Sequence, residues 1–472
     1  MDRINTPSVD FEYMSTYWEK VNTIIEGTEA MRDAGNLYLP QFPEETDMDY
    51  LFRLKNARFT NIYVDILEGL ASKPFSRQLS LSDDSNDLIN EFIRDVDGRG
   101  NNLHVFSAET FYDGINNAID WILVEYTKPE QENKTKEDEK KSGVRPYWVH
   151  IPATSVINIE SKVIKGREQL TNIRILENDK RIREFDRTQD LVVWRIHEDL
   201  GDKQWVVTSE GDITIGVIPM VPFITGRRKG NTWRFKPPMQ DSADLQIELY
   251  QQESGIKNIK NLTCFPMLAG NGIQPEMNGQ VPKKVPVGPH SVLYAPPNSQ
   301  GGSGQWKWLE PSAETLKFLQ SDINDTKRDL RELGRQPLTA NSGNLTVITT
   351  AFAAQKGNSA VQAWALALGV SLDLAIQYTA MWLSIDTEIP KTVVFTDFGI
   401  DEQEEESLKT LLEMRKPNED GGVDLSRKTF WSELKRRGTL SADFDSDTEL
   451  QNIVNEVSNL KPDSDEEGAT LD

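Results

Sequence analysis

The chain has 472 residues, with 52 basic and 75 acidic side chains, a net charge of -23 and a mean hydropathy of -0.53. That acid excess excludes wrapping of nucleic acid by phosphate neutralisation, which needs clustered Lys and Arg, but not a passage past which DNA slides without sticking. The one cysteine, Cys264, excludes an intramolecular disulfide and a cysteine-based zinc site, and fits a reducing compartment.

The length accommodates about three domains. The opening residues, MDRINTPSVDFEYM, lack the apolar core of a signal peptide. In FEYMSTYWEKVNTII, residues Phe11, Met14, Trp18, Val21 and Ile25 recur at three- and four-residue spacing and predict a helix. A second helical pattern runs from Asp47 to Ser72 through Leu51, Leu54, Ile62, Ile66 and Leu70, and stops at Lys73-Pro74. A third helix is expected after Ser85 (Leu88, Ile89, Phe92, Ile93, Val96), ending at Gly98. A fourth follows Ser107, with Phe111, Ile115, Ala118 and Ile119 on one side. WILVEY, 121–126, reads as a buried strand, and KPEQENKTKEDEKKSG, 128–143, as a solvated excursion.

From Arg145 to Arg228 the pattern changes to strands: YWVHI, SVINI, LTNIRIL, LVVWRI, QWVVT and IPMVPFIT. Glu177-Asn178-Asp179 and Glu210-Gly211-Asp212 are expected turns between them. A β region after a helical one makes the fold class α+β rather than alternating α/β. After Lys236-Pro237-Pro238 comes a long helix, capped by Asp241 or Ser242, that carries Gln246, Gln251, Gln252, Asn258 and Asn261. Residues 264–310 are rich in Gly and Pro and hold the short strands FPMLA, SVLYA and WKWLE.

Ser312 then caps another helix, with Glu314 near its positive end. Its apolar stripe is thin: Leu316, Ile323 and Leu330 are spaced by seven, as are Leu319, Thr326 and Leu333. A helix on a globular core buries a wider face, whereas a two-sevenths stripe suits packing along one neighbouring helix. GRQPLTANSGNLTVITT, 334–350, begins as a loop and leads into an Ala-rich helix, Thr349 to Leu383, that Gly357 and Asn358 could kink or interrupt. Within it, residues 360–383 are the most membrane-like stretch. Asp373 stands near the middle of that stretch, with Gln362, Ser371 and Gln377 along it. A central charge costs about 2.5–3.5 kcal/mol in a bilayer, so the expectation is a helix buried in protein, with no membrane. KTVVFTDF, 391–398, reads as a strand. Short helices are expected at 404–415, 426–437 and 447–458, with PDSDEEGATLD as a disordered acidic tail.

No Walker A sequence, HExxH or GxSxG occurs, so ATP hydrolysis and these hydrolytic chemistries have no visible site. His104, His150, His197 and His290 are far apart and none has a ligand partner one helical turn away, so no metal site and no cofactor is expected. Asp443, Asp445 and Asp447 imitate the start of a calcium loop, but Thr448 and Val454 replace its glycine and its closing glutamate. Two basic clusters, Lys283-Lys284 and Arg227-Arg228-Lys229, are either partner contacts or ordinary exposed turns.

The order of these elements resembles the portal proteins of tailed bacteriophages, in particular a branch long catalogued as phage proteins of unknown function. The residues that carry the resemblance are YLFRLKNARFTNIYVDILEGLASKPF (50–75), IPMVPFITGRR (218–228) with the following FKPPMQDSADLQIELYQQESGIKNI, FPMLAGNG (265–272) and WKWLEPSAETLKFLQSDINDTKRDLRELGRQPL (306–338). The resemblance implies a non-enzymatic ring subunit, commonly dodecameric, at one capsid vertex of the virion, assembled in the host cytoplasm. Double-stranded DNA would pass through it without sequence specificity during packaging and ejection. Terminase, a head–tail adaptor and the major capsid and scaffolding proteins would be its partners. It further implies a wing at 1–240, stem helices at 241–262 and 312–335, and a clip at 263–311 in which Lys283 and Lys284 would meet a partner. A tunnel loop at 336–348 would present Thr339, Asn341, Ser342, Asn344 and Thr346 to DNA. The long wing helix and its strand would occupy 349–399, and a crown-side region 400–472. A head–tail adaptor or minor capsid protein is the competing expectation.

Overall fold

The computed structural model describes residues 4–43, 45–82, 86–127, 144–188, 191–201, 204–263, 267–271, 277–278, 281–282, 292–295, 305–309, 313–334, 347–385, 389–396, 398, 409–416, 425–436, 439–440 and 444–459. The excursion at 128–143 and the acidic tail lie outside them.

Helix α1, Val9–Glu26, starts where the Ser8 hydroxyl accepts from Phe11 N at 3.2 Å and stops at Gly27, whose φ of 87° suits glycine. It buries Met14, Trp18, Val21 and Ile24; the predicted Ile25 lies beside that face, half-buried. A short α2, Thr28–Asp33, follows. The single helix expected over 47–72 is two: α3, Asp47–Asn56, and α4, Ile62–Ala71. Ala57 turns extended (ψ 134°), and Asn61 caps α4 by accepting from Val64 N at 3.1 Å. The period misled in α3, where Leu51 is 60% exposed and the buried residue is Arg53. Its guanidinium donates to both Glu45 oxygens at 2.7 Å and to Pro40 O at 2.8 Å, so a paired charge occupies the inward position.

After the two-residue strand β1, Ser80–Leu81, comes helix α5, Asp87–Phe92, shorter than expected. After it, Asp95 and Asp97 accept from the backbone N–H groups of Gly100, Arg99 and Asn101, and so fold residues 93–101 into a turn. Helix α6, Leu103–Asn117, begins earlier than predicted because Asn102, not Ser107, is its cap. Ala118 in the left-handed region (φ 73°) ends it and leads directly into strand β2, Ile119–Tyr126.

Strand β2 is the centre of a three-stranded antiparallel sheet, between β3, Pro146–Ile151, and β9, Met220–Ile224. Its alternation assigns its side chains to two cores. Ile122 and Val124 pack with α1, α4, α5 and α6. Ile119, Trp121 and Leu123 pack on a second, five-stranded meander. That meander comprises β4 (Val156–Ile164), β5 (Arg167–Asn178), β6 (Arg181–Thr188), β7 (Leu191–Asp199) and β8 (Trp205–Ile213), paired in sequence order. The turn expected at Glu210-Gly211-Asp212 is instead part of β8. Gly211 faces Trp194 on β7, and a Cβ there would stand 2.9 Å from the indole nitrogen, so glycine gives the ring its space. The fold is α+β, as expected.

Past the small pair formed by Arg227–Arg228 and Phe235–Lys236, the chain leaves this body as α7, Gln240–Thr263. The predicted strands follow as Met267–Asn271, Val292–Ala295 and Gln305–Leu309, a three-stranded sheet with the first strand in the centre. Helix α8, Ala313–Leu333, returns, and α9, Val347–Trp382, is helical throughout, uninterrupted at Gly357 or Asn358. Residues Ala360–Trp382 are, among the described residues, the helical stretch long and apolar enough to cross a membrane. Here Val361, Trp364, Leu368, Leu372, Ala375, Ile376 and Ala380 are buried in the first core. Its polar residues are also used: Ser371 donates to Pro222 O at 2.9 Å, and Asp373 accepts from Thr392 N and Oγ1, each at 2.7 Å. The strand expected at 391–398 shrinks to Thr392–Val393, paired with Ser80–Leu81. Helices at 409–414, Arg427–Arg436 and Ser446–Asn459 complete the described chain.

Candidate functional site: the helix pair α7–α8

Helices α7 and α8 lie antiparallel: Glu253 meets Lys327 at 2.7 Å, while Lys260, further out on α7, donates to Gln320 at 3.4 Å. The stripe read from the sequence is the contact face. Ile323, Thr326 and Leu330 are buried, Leu316 and Leu319 half-buried, while Leu333 at its end is exposed. The opposite side of α8 presents Glu314, Asp325, Asp329 and Glu332 beside Lys317 and Arg328, together with a Phe318 that is 70% exposed.

The amides of α7 fasten this pair to the body. Gln246 is fully buried, and its Oε1 accepts from Ile62 N and Tyr63 N, each at 3.0 Å, while its Nε2 donates to Thr60 O at 3.0 Å. These two N–H groups open α4 and have no partner within that helix. Two turns on, Glu253 accepts from Thr60 N at 3.1 Å and Thr60 Oγ1 at 2.9 Å, as well as from Lys327. One buried carboxylate therefore ties α7, α8 and the start of α4 together. Gln251 donates to Tyr38 O at 3.0 Å, and Gln252 to Asp322 at 3.2 Å. Where α8 ends, a Cβ on Gly334 would stand 2.5 Å from Ile66 of α4, so glycine permits the close approach.

The proposed contact residues Thr339, Asn341, Ser342, Asn344 and Thr346, and Lys283 and Lys284, lie outside the described residues. The other basic cluster is engaged internally. Arg228 holds Glu168 with two hydrogen bonds, at 2.7 and 2.8 Å, and lies 4.6 Å over the Trp233 ring. Lys229 stands over Tyr13. Those bonds from Arg228 hold the Glu168 carboxyl down to about 2.

One constellation escaped the sequence reading, because its members are on three elements. Asp113 on α6, Asp120 on β2 and His150 on β3 place one ligand atom each within 4.8 Å of one another. His150 Nε2 is 2.8 Å from Asp120 Oδ2 and 3.8 Å from Asp113 Oδ2. Asp120 is wholly buried, and burial raises its carboxyl to about 6. Burial also raises Asp113. For His150, burial pulls the pKa down, but the hydrogen bond and charge of Asp120 outweigh it and the net shift is upward. A strand-start aspartate in an otherwise apolar run, IDWILV, was the one signal available in the sequence.

The family described as "Domain of unknown function (DUF4055)" matches residues 238–383, which span α7 to the end of α9. No curated protein matches the chain. Among solved structures the chain is similar to a chain from the neck of an empty GTA particle computed with C6 symmetry, at TM-score 0.44 and 11% identity, covering 87% of this chain and 94% of that one. A chain from the neck of a native GTA particle computed with C12 symmetry gives TM-score 0.43 and 10% identity over 79% and 88%. A chain from the virion of a native gene transfer agent (GTA) particle gives 0.40 and 10% over 93% and 99%.

Proposed function

We propose that this chain is the subunit of a portal ring at one vertex of a tailed-phage particle, a non-catalytic conduit through which DNA enters and leaves. The observation that carries this reading is the antiparallel pair α7–α8, fastened to the helical body at one end and joined at the other to a three-stranded sheet. Within the subunit the thin apolar seam of α8 is taken up by α7, and the charged remaining faces suit a helix pair that borders an aqueous passage. The residues quoted for the portal resemblance run through this same stretch, and the family match at 238–383 covers it. In this reading the body up to residue 240 is the wing, α7 and α8 are the stem, the sheet between them is the clip, and residues 336–348 face the channel. An acid-rich subunit repels phosphate, so DNA stays mobile. Terminase and a head–tail adaptor would dock on the ring.

Negative-stain imaging of the purified protein, paired with a mass measurement, tests the reading. Closed rings with a central channel are expected. A subunit that stays monomeric under every assembly condition, with capsid and scaffolding proteins present, counts against it. One that joins only a preformed ring favours the adaptor reading.

A further inference from the structure

Asp113, Asp120 and His150 form a set that the conduit reading does not use. Asp120 leaves the start of β2 on the face that also carries Ile122 and Val124, inside the first core. His150 stands opposite Ile122 on the neighbouring strand, so Asp120 and His150 are diagonal neighbours on one face. Asp113 comes down from α6, which packs on that face, and is partly open to solvent, with 39% of its side chain exposed. Glu109, one turn earlier on α6, is exposed and near enough for its charge to act on both His150 and Asp113.

Charge balance decides what this set can hold. A proton on His150 offsets one carboxylate and leaves the second uncompensated beside a buried anion. Buried charges are costly unless neutralised. A divalent cation with a neutral imidazole offsets both carboxylates. The donor set, one ring nitrogen and two carboxylate oxygens, is that of a transition-series ion rather than of Mg2+ or Ca2+, which take oxygen alone. The spacing agrees. Ligand atoms about 2.0–2.2 Å from a tetrahedral zinc lie roughly 3.4 Å from each other. The 3.8 Å from His150 to Asp113 is close to that, and the 2.8 Å from His150 to Asp120 needs to open by only about half an ångström. Asp113 is partly exposed and Glu109 exposed, so the set reaches the surface on that side.

From this geometry we infer that Asp113, Asp120 and His150 bind one divalent transition-metal ion of the Zn2+ type, which pins α6 to the three-stranded sheet.

The test uses the untagged full chain, freed of metal by chelator dialysis, titrated with Zn2+ by calorimetry and with Co2+ by visible absorption. One equivalent per chain is expected, with a Co2+ spectrum characteristic of mixed nitrogen and oxygen ligands and a rise in the thermal midpoint on Zn2+ addition. Asp113→Asn and His150→Gln, both at partly exposed positions, should weaken binding at least about tenfold and abolish the Co2+ spectrum. Asp120 is left intact because its burial makes a folding defect the trivial outcome. His197→Gln removes another histidine held against a carboxylate, Glu184, and should leave binding unchanged. Failure of the wild-type chain to take up Zn2+ or Co2+ would mean an Asp–His ion pair only. Equal uptake by Asp113→Asn and His150→Gln would place the cation elsewhere on the acidic surface. Mg2+ or Ca2+ bound as tightly as Zn2+ would exclude a histidine ligand. Each of these three results overturns the inference, and none bears on whether the subunits form a ring.

Discussion

Gln246 supplies three hydrogen bonds to a helix start 184 residues earlier in the chain. Ile62 N also donates to Thr60 O at 3.1 Å, so replacing Gln246 by Ala leaves Tyr63 N as the buried group without its partner, at a cost of about 1–3 kcal/mol. The expected outcome for Gln246→Ala is a loss of at least that size in chemical denaturation, with unchanged helix content by circular dichroism. The amides were visible in the sequence as unusual cargo for a helix; their partners were not, because Thr60–Tyr63 lie in what reads as an unbroken helix. Glu168 gives a pH prediction. Its carboxyl is held at about 2, against an ordinary 4.5, first by its hydrogen bonds to Arg228. A depressed carboxyl stabilises the native state above 4.5, and that contribution disappears as pH falls from 4.5 towards 2. Glu168 is 43% exposed, so the effect is modest and screened by salt. In denaturation midpoints measured across this window, Glu168→Gln should show a shallower acid slope than the wild type.

The elements themselves were largely legible wherever one face met one core. Helix α1, the meander and the seam of α8 follow the period of their apolar residues, whereas strand β2, buried on both faces, was legible as an apolar run. The errors fall where a polar group took an inward or capping place, Arg53 with Glu45 in α3 and Asn61 splitting the 47–72 pattern, and where a glycine made room for a ring, Gly211 beneath Trp194 in β8. Periodicity counts apolar residues and does not see paired charges or capping amides. On α8 the two sides make opposite predictions. Ile323→Ala, at a buried position, should cost about 2–5 kcal/mol. Phe318→Ala, at 70% exposure, should change subunit stability by no more than about 0.5 kcal/mol. Thermal melts of the two variants check this. Gly334→Ala pushes a methyl against Ile66 and should cost about 1–3 kcal/mol. Combining it with Ile66→Val should recover part of that loss in a double-mutant cycle.

At the scale of the molecule, two cores share one three-stranded sheet, and the α7–α8 pair extends from the helical side. If residues 336–348 face DNA, replacing Asn341 and Asn344 by Lys adds phosphate-capturing charge. It should slow DNA packaging more than it impairs ring assembly, measured as translocation by rings of normal appearance. Failed assembly with normal transport in the surviving rings would mean that the loop lies elsewhere. By itself the sequence determined the α+β class, the order of helices and strands, the thin seam on α8 and the portal resemblance, because local period and element order are written along the chain. Only the tertiary structure decided what the buried polar residues do. Gln246 and Glu253 fasten the helix pair to α4, and Asp113, Asp120 and His150 meet across a helix and two strands. The physical reason is that a buried polar group needs a partner, and nothing in local sequence says how far along the chain that partner lies.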